Sequence, residues 1–199
     1  TLVAAVAPLA RVSLARQFPP VRPATFDEVT EETARANAVY ALTMALAEVV
    51  PLLGAPLNLA DIVVLTKNQL VMSYRIALAA GKQGAPRELL GELVSVIGGG
   101  FLFRQVGREL VGLVPVIGVV PKVAVAYAGT LAIARAVTVW AGEGVRLSPE
   151  GIKRAYRDAW ERGKRMAQTL VRRAPGRRAR LRIVPPPAGA GETGGGASS

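Results

Sequence analysis

The chain has 199 residues, enough for one domain with tails and a real core. Apolar residues make up 51% and aromatics 5%, beside a formal net charge of +11, and that much apolar content excludes a disordered chain. There is no Cys and no His, which excludes disulfides, thiolate nucleophiles, His-dependent triads and Cys/His zinc sites, and fits a reducing compartment. The first residue is Thr1 rather than Met, so the chain is expected to be a piece of a longer one, and no targeting signal is assigned.

In chain order, "TLVAAVAPLARVSLARQF" predicts an apolar helix that Pro8 interrupts, and "PPVRP" ends it. Thr25 followed by Glu28 has capping-box spacing. With Asp27, Glu31 and Glu32 suited to the positive end of a helix dipole, this predicts a helix from Phe26 to Val49. A Val-Pro-apolar-apolar-Gly signal at Val50–Gly54 and a further Pro56 mark a turn. Asn58 as cap, with Asp61 three residues later, opens a second long helix from Leu57 to Ala80, closed by Gly81. Pro86 starts "RELLGELVSVI", Gly98-Gly99-Gly100 mark a kink or turn, and "FLFRQVGRELVGL" resumes as helix. The turn signal returns at Val114–Gly118, 64 positions after the first, but the register drifts beyond it, so we read ordinary punctuation rather than a duplication. Pro121 opens a helix through Trp140, closed by Gly142 and Gly144. Ser148 followed by Pro149 starts the last helix, and Pro175-Gly176 stops it. The remainder is expected to be a disordered tail, basic and then Pro/Gly/Ser-rich.

A helical bilayer span needs about 20 mostly apolar residues. The longest uncharged stretches are 12 residues, at 36–47, 49–60, 110–121 and 123–134, and the last two join only across Lys122. A central lysine costs about 3 kcal/mol on the insertion scale, which the eleven Val, Ile and Leu residues from Val111 to Ile133 offset until Pro115, Pro121 and three glycines are counted. Two features nevertheless point to lipid or to very tight burial. Ala124, Ala128, Ala132 and Ala136 recur every fourth residue, a small-residue ridge on which another helix can lie closely. Asp61, Asn68 and Arg75, spaced by seven, share one narrow stripe of an otherwise apolar helix, and Asp61 is expected to pair across helices with Arg135 or Lys122.

Charge is unevenly placed: 13 Lys/Arg stand against three acids between Arg146 and Arg182, and the rest of the chain carries a net of only +1. Within this region Ile152, Ala155, Tyr156, Ala159, Trp160, Gly163, Ala167, Leu170 and Val171 fall on one helical face. Lys153, Arg154, Arg157, Arg162, Lys164 and Arg165 occupy the other. One reading packs the apolar face on the body and leaves the charges solvated. The other makes an interfacial helix, with Trp160 at headgroup depth and the cations on anionic lipid; were the body inserted, the same charges would hold the C-terminus in the cytoplasm. Phosphates would also be drawn to "RRAPGRRAR", but no nucleic-acid-binding motif accompanies it, so nucleic acid is not the expected partner.

No catalytic constellation is legible. "AAGKQ" and "ERGKR" lack the upstream glycine and following Ser/Thr of a phosphate-binding loop, and neither Ser73 nor Ser95 begins a Ser-x-x-Lys arrangement. Glu48, Glu88, Glu92 and Glu109 lie near expected helix ends and read as structural, so no metal and no cofactor is expected.

The proline-glycine turn at Pro51–Gly54, the Asp-containing apolar helix from Asp61 through Met72, the Gly98–Gly100 cluster and the second turn at Pro115–Gly118 together resemble the YcjF-type domain of unknown function. The resemblance covers about residues 35–142. It implies an accessory domain at the bacterial inner membrane, beside or fused to a GTPase; no nucleotide-binding loop is present here, so GTP hydrolysis does not carry over.

The expectation is therefore all-α, a compact bundle of helical hairpins with Pro/Gly turns, an amphipathic basic C-terminal helix and a disordered tail. Its parts are an apolar helix and linker over 1–24, an apolar core over 25–145, a basic amphipathic helix over 146–174 and a tail over 175–199. The expected role is non-enzymatic: membrane-associated, contacting anionic lipid or an acidic partner through the basic helix. The alternative is a soluble scaffold binding a GTPase or nucleic acid through its basic C-terminus.

Overall fold

The computed structural model describes residues 6–47, 57–96 and 119–174, without the side chains of Leu9, Ala47 and 57–62. Both proline-glycine turns, the Gly98–Gly100 cluster, the helix expected at "FLFRQVGRELVGL", Glu48, Glu109 and the tail from residue 175 lie outside the described residues. The described part is all-α: α1 (Pro8–Gln17), α2 (Arg22–Ala47), α3 (Leu57–Ala79), α4 (Pro86–Val96), α5 (Val119–Glu143) and α6 (Pro149–Arg173). No strand occurs among the described residues.

Helix ends follow local chemistry, with three corrections. Pro8 does not interrupt α1 but opens it, at a position where its missing N–H is no loss. The Thr25 capping box does not form. A 3-10 turn at Pro19–Val21 leads directly into α2 at Arg22, and Pro23 fits because it falls in the first turn. Thr25 is thus a helix-interior residue, fully buried, its hydroxyl donating to the Val21 carbonyl at 3.0 Å. The acids expected at the dipole's positive end consequently lie beyond the first turn, which holds none. Arg22 also turns back on α1, its Nε donating to the Ala15 carbonyl at 3.1 Å. As the third correction, α5 is already helical at Val119 and runs on through Gly142; Gly144, at φ +73°, closes it with its N–H on the Trp140 carbonyl at 2.9 Å.

Gly81, at φ +92°, closes α3 through Gly81 N–H to the Leu78 carbonyl and Lys82 N–H to the Ala77 carbonyl, both 3.0 Å. α3 is under way at Leu57, one residue before Asn58, whose side chain lies outside the described residues. Ser148 caps α6, accepting from the Gly151 N–H at 3.1 Å, with Pro149 next and Glu150 in the first turn.

α5 is the central helix. It packs most extensively on α6, then on α2 and α3; α1 and α4 lie against α3. One apolar cluster gathers Val29, Met72, Ile76, Leu89, Leu93, Val137, Trp140 and Ile152; a second gathers Ala34, Ala38, Leu42, Val123, Ala124, Tyr127, Ala128, Ala159 and Ala167. The basic C-terminal helix is therefore no appendage: its apolar face completes the core.

The α5–α6 contact is unusually close. Ala124, Ala128, Ala132 and Ala136 are all buried, and α6 answers with its own small residues at four-residue spacing, Ala159, Gly163 and Ala167. A Cβ added at Gly163 would stand 2.6 Å from the Ala124 carbonyl oxygen and 3.3 Å from the Ala128 Cβ. Only glycine lets the two backbones approach to that extent.

Candidate functional site

Two polar hubs tie the helices together. In the first, Asn68 Nδ2 of α3 donates to Asn37 Oδ1 of α2 at 2.8 Å, and Asn37 Nδ2 donates to Thr130 Oγ1 of α5 at 2.9 Å. Gln69 Nε2 donates to the same hydroxyl at 3.3 Å, and Thr130 in turn donates to the Ala126 carbonyl at 2.7 Å. That uses the one proton and both lone pairs of the Thr130 hydroxyl. Asn37 and Thr130 are fully buried, and among the described residues no buried side-chain nitrogen or oxygen lacks a partner.

The second hub is Glu31 on α2. Tyr127 Oη of α5 lies 2.8 and 2.7 Å from its two oxygens, Arg35 Nε donates at 2.8 Å, and Arg162 of α6 reaches it at 3.2 Å. Burial alone raises the Glu31 carboxyl. The Tyr127 and Arg35 hydrogen bonds and the Arg35 and Arg162 charges outweigh that, so its pKa sits below the ordinary value of 4.5. Burial, followed by the hydrogen bond and charge of Glu31, pushes the Tyr127 hydroxyl up to about 12.

Asn68 belongs to the first hub, and Arg75 is half-buried with no ion pair among the described residues. Arg135, expected among the buried polar residues as a partner for Asp61, is instead exposed: it stands at the open edge of a groove that it lines with Arg154, Asp158 and Arg162. The Asp61 side chain, and with it the pairing to Arg135 or Lys122, lies outside the described residues. On α6, Arg154, Arg157, Arg162 and Arg165 are exposed, whereas Lys153 and Lys164 are half-buried; Lys164 pairs with Glu161 at 2.7 Å. Trp160 is also half-buried, 6.0 Å from the Tyr156 ring and packed on the second apolar cluster.

No group of His, Cys, Asp or Glu that could hold a metal ion occurs among the described residues. Glu88 Oε2 accepts the Ala85 N–H at 3.2 Å, a cap at the start of α4. Sequence reading missed the Glu31 hub, whose partners lie 96 and 131 residues away, and the polar role of Asn37. A signal for Asn37 existed: it sits on the stripe of Ala34, Ala38 and Ala41, a polar residue at a core position.

Two surface grooves stand out among the described residues. Between α3 and α4 runs an apolar one of about 650 Å³, lined by Val63, Leu70, Val71, Tyr74 and Leu90, with Val63 66% and Val71 45% exposed. Between α5 and α6 lies the cationic one, of about 520 Å³. Comparison of the chain with protein-family models, with curated proteins and with solved structures finds no match. What the geometry defines is a class: a helical bundle that presents, among the described residues, an apolar groove and a cationic groove.

Proposed function

We propose that the protein is a non-enzymatic, membrane-associated accessory module that touches an anionic lipid surface through the outward face of α6. One observation supports this above others. The apolar face of α6 is occupied by α5 and α2, with Ile152, Ala159, Gly163 and Ala167 buried, while Arg154, Arg157 and Arg165 stay exposed. An electrostatic contact therefore fits α6 better than a helix bedded by its apolar side in the headgroups. α5 is long and apolar enough to span a bilayer, yet 72% of its most apolar window is buried within the bundle, so we read it as a core helix. A GTPase as working partner is the implication of the sequence resemblance alone.

Vesicle cosedimentation tests the reading. Binding is expected to vesicles rich in phosphatidylglycerol, not to neutral phosphatidylcholine, and to fall steeply with salt. Equal binding to both would overturn it, and resistance to carbonate extraction from membranes would point to a spanning α5 instead.

The apolar α3–α4 groove supports a second reading, a soluble scaffold for a protein such as a GTPase, with nucleic acid as the other ligand of the basic C-terminus. α3 and α6 flank α5 without extensive contact with each other, so a protein in that groove and a lipid surface on α6 need not compete.

A further inference from the structure

The α5–α6 groove gathers more charge than helix packing asks of it. Arg135 comes from α5, Arg154 and Arg162 from α6, and Leu131, Leu147, Ala155 and Ala159 supply apolar lining. Asp158, one turn from both Arg154 and Arg162, is the single acid in the lining. Three guanidiniums and one carboxylate give the lining a net of +2, or +1 once the Glu31 carboxylate on Arg162 is counted. Neither Arg135 nor Arg154 has a carboxylate within ion-pair distance among the described residues. Arg162 is held differently. One of its terminal nitrogens is on Glu31, itself fixed by Tyr127 and Arg35, so the guanidinium stands anchored at the groove's edge with further N–H donors to offer.

We propose that this groove is a binding site for a phosphate ester, with Arg135 and Arg154 as its principal ligands and Arg162 as a pre-positioned third. The planar guanidinium fork matches phosphate oxygens two at a time, and a concave surface of net positive charge focuses the field on a small anion. The volume, about 520 Å³, suits a small ligand or a lipid headgroup rather than a polymer. The apolar lining accepts the ester's carbon end, and Asp158 is placed to accept a hydrogen bond from a hydroxyl on it while rejecting ligands that carry only negative charge. The ester has two sources, the headgroup of an anionic phospholipid or a free metabolite such as a glycerol phosphate. The site deepens the membrane reading in the first case and stands without it in the second.

The test compares two variant pairs of equal charge in the full chain, with circular dichroism to confirm folding. All four positions are exposed, so folding is expected to survive. Arg135→Gln with Arg154→Gln removes the groove ligands; Arg157→Gln with Arg165→Gln removes two cations of α6 outside it. The groove pair removes two charge-assisted contacts to the ester, so it is expected to weaken binding at least about tenfold. In the glycerol 3-phosphate arm the outer pair should stay within about threefold, because neither residue lines the groove; on vesicles it weakens the diffuse contact, but by less than the groove pair. Phosphatidylglycerol vesicles probe the lipid source, and calorimetry with glycerol 3-phosphate, against inorganic phosphate, probes the soluble one. Binding in either arm that is lost selectively in the groove pair supports the site. Equal losses in both pairs overturn it and leave the diffuse membrane contact standing. Absence of vesicle binding by the native chain, with glycerol 3-phosphate binding retained, overturns the membrane reading and leaves the groove. No binding in either arm overturns both.

Discussion

Gly163→Ala measures how closely α5 and α6 are held. The new Cβ would meet the Ala124 carbonyl oxygen at 2.6 Å, and a backbone atom cannot rotate away as a side-chain tip would. Reaching even the tight limit of 3.0 Å, or an ordinary 3.4 Å contact, requires the helices to part by about 0.4–0.8 Å. That opening spreads along the bundle's most extensive interface. Overpacking of this kind costs about 1–3 kcal/mol. Against it stands the helix-propensity gain of Ala over Gly, about 1 kcal/mol. The net expectation lies between neutrality and a destabilisation of about 2 kcal/mol, or up to about 8 °C in Tm for a chain of this size. Gly91→Ala is the matched control. Gly91 lies inside α4 and is exposed, with nothing within 4 Å of its built Cβ, so only the propensity gain applies, about 1 kcal/mol in the stabilising direction. Thermal and urea unfolding followed by far-UV circular dichroism separates the two. If Gly163→Ala stabilises as much as Gly91→Ala, the close approach is not real and the packing argument fails.

Three further outcomes follow from the polar hubs. Asn37→Ala strands Asn68 and leaves the Thr130 hydroxyl short of a donor, so urea unfolding should show a loss of about 2–4 kcal/mol; a loss below about 0.5 kcal/mol would mean that water replaces the amide. Because the folded pKa of Glu31 is depressed, its contribution to stability is present above the ordinary value of 4.5 and fades as pH falls through the folded value. The stability gap between native chain and Glu31→Gln should therefore be widest near neutrality and shrink below about pH 4.5; a gap independent of pH refutes the ionised hub. Tyr127 is shifted the other way, so it favours the folded state fully below its ordinary value of 10.0 and ceases to as pH rises toward about 12. Alkaline melts should show this loss in the native chain and a flatter profile in Tyr127→Phe, and identical profiles would place the hydroxyl in solvent.

The parts of the fold that sequence made legible are those decided within a few residues. Gly81, Gly144 and Ser148–Pro149 act through their own φ angle, ring or hydroxyl, and each stands at a helix end. The start of α2 was not legible, because Thr25 is equally content inside a helix when the Val21 carbonyl takes its hydroxyl proton, and Pro23 is tolerated in a first turn. Periodicity identified the alanine ridge of α5 but not its partner, although Ala159, Gly163 and Ala167 carry the same four-residue spacing. A basic helix invites attention to its charges first. The exposure of Arg135 was not legible either. Helical spacing says which residues share a face, not whether a neighbouring helix covers that face. Glu31 was the furthest from reach, since its environment is assembled from α5 and α6 and no local signal in α2 reports it.

The hubs also explain how so repetitive an interface settles on one arrangement. A ridge with alanine at every fourth position nearly matches itself after a slip of one turn, about 6 Å along the axis. Apolar area alone would hardly distinguish the two registers, because each brings small residues against small residues. Hydrogen bonds do distinguish them. Tyr127 and Arg162 meet the same Glu31 at distances between 2.7 and 3.2 Å, and a 6 Å displacement of α6 along α5 would pull Arg162 off the carboxylate that Tyr127 still holds. Asn37 and Asn68 fix α2 and α3 against Thr130 in the same way. Buried polar contacts of this sort contribute more to choosing a register than to net stability. The choice has a consequence at the surface. Arg135 belongs to α5 while Arg154 and Arg162 belong to α6, so the three guanidiniums share one opening only in the register that the Glu31 hub selects.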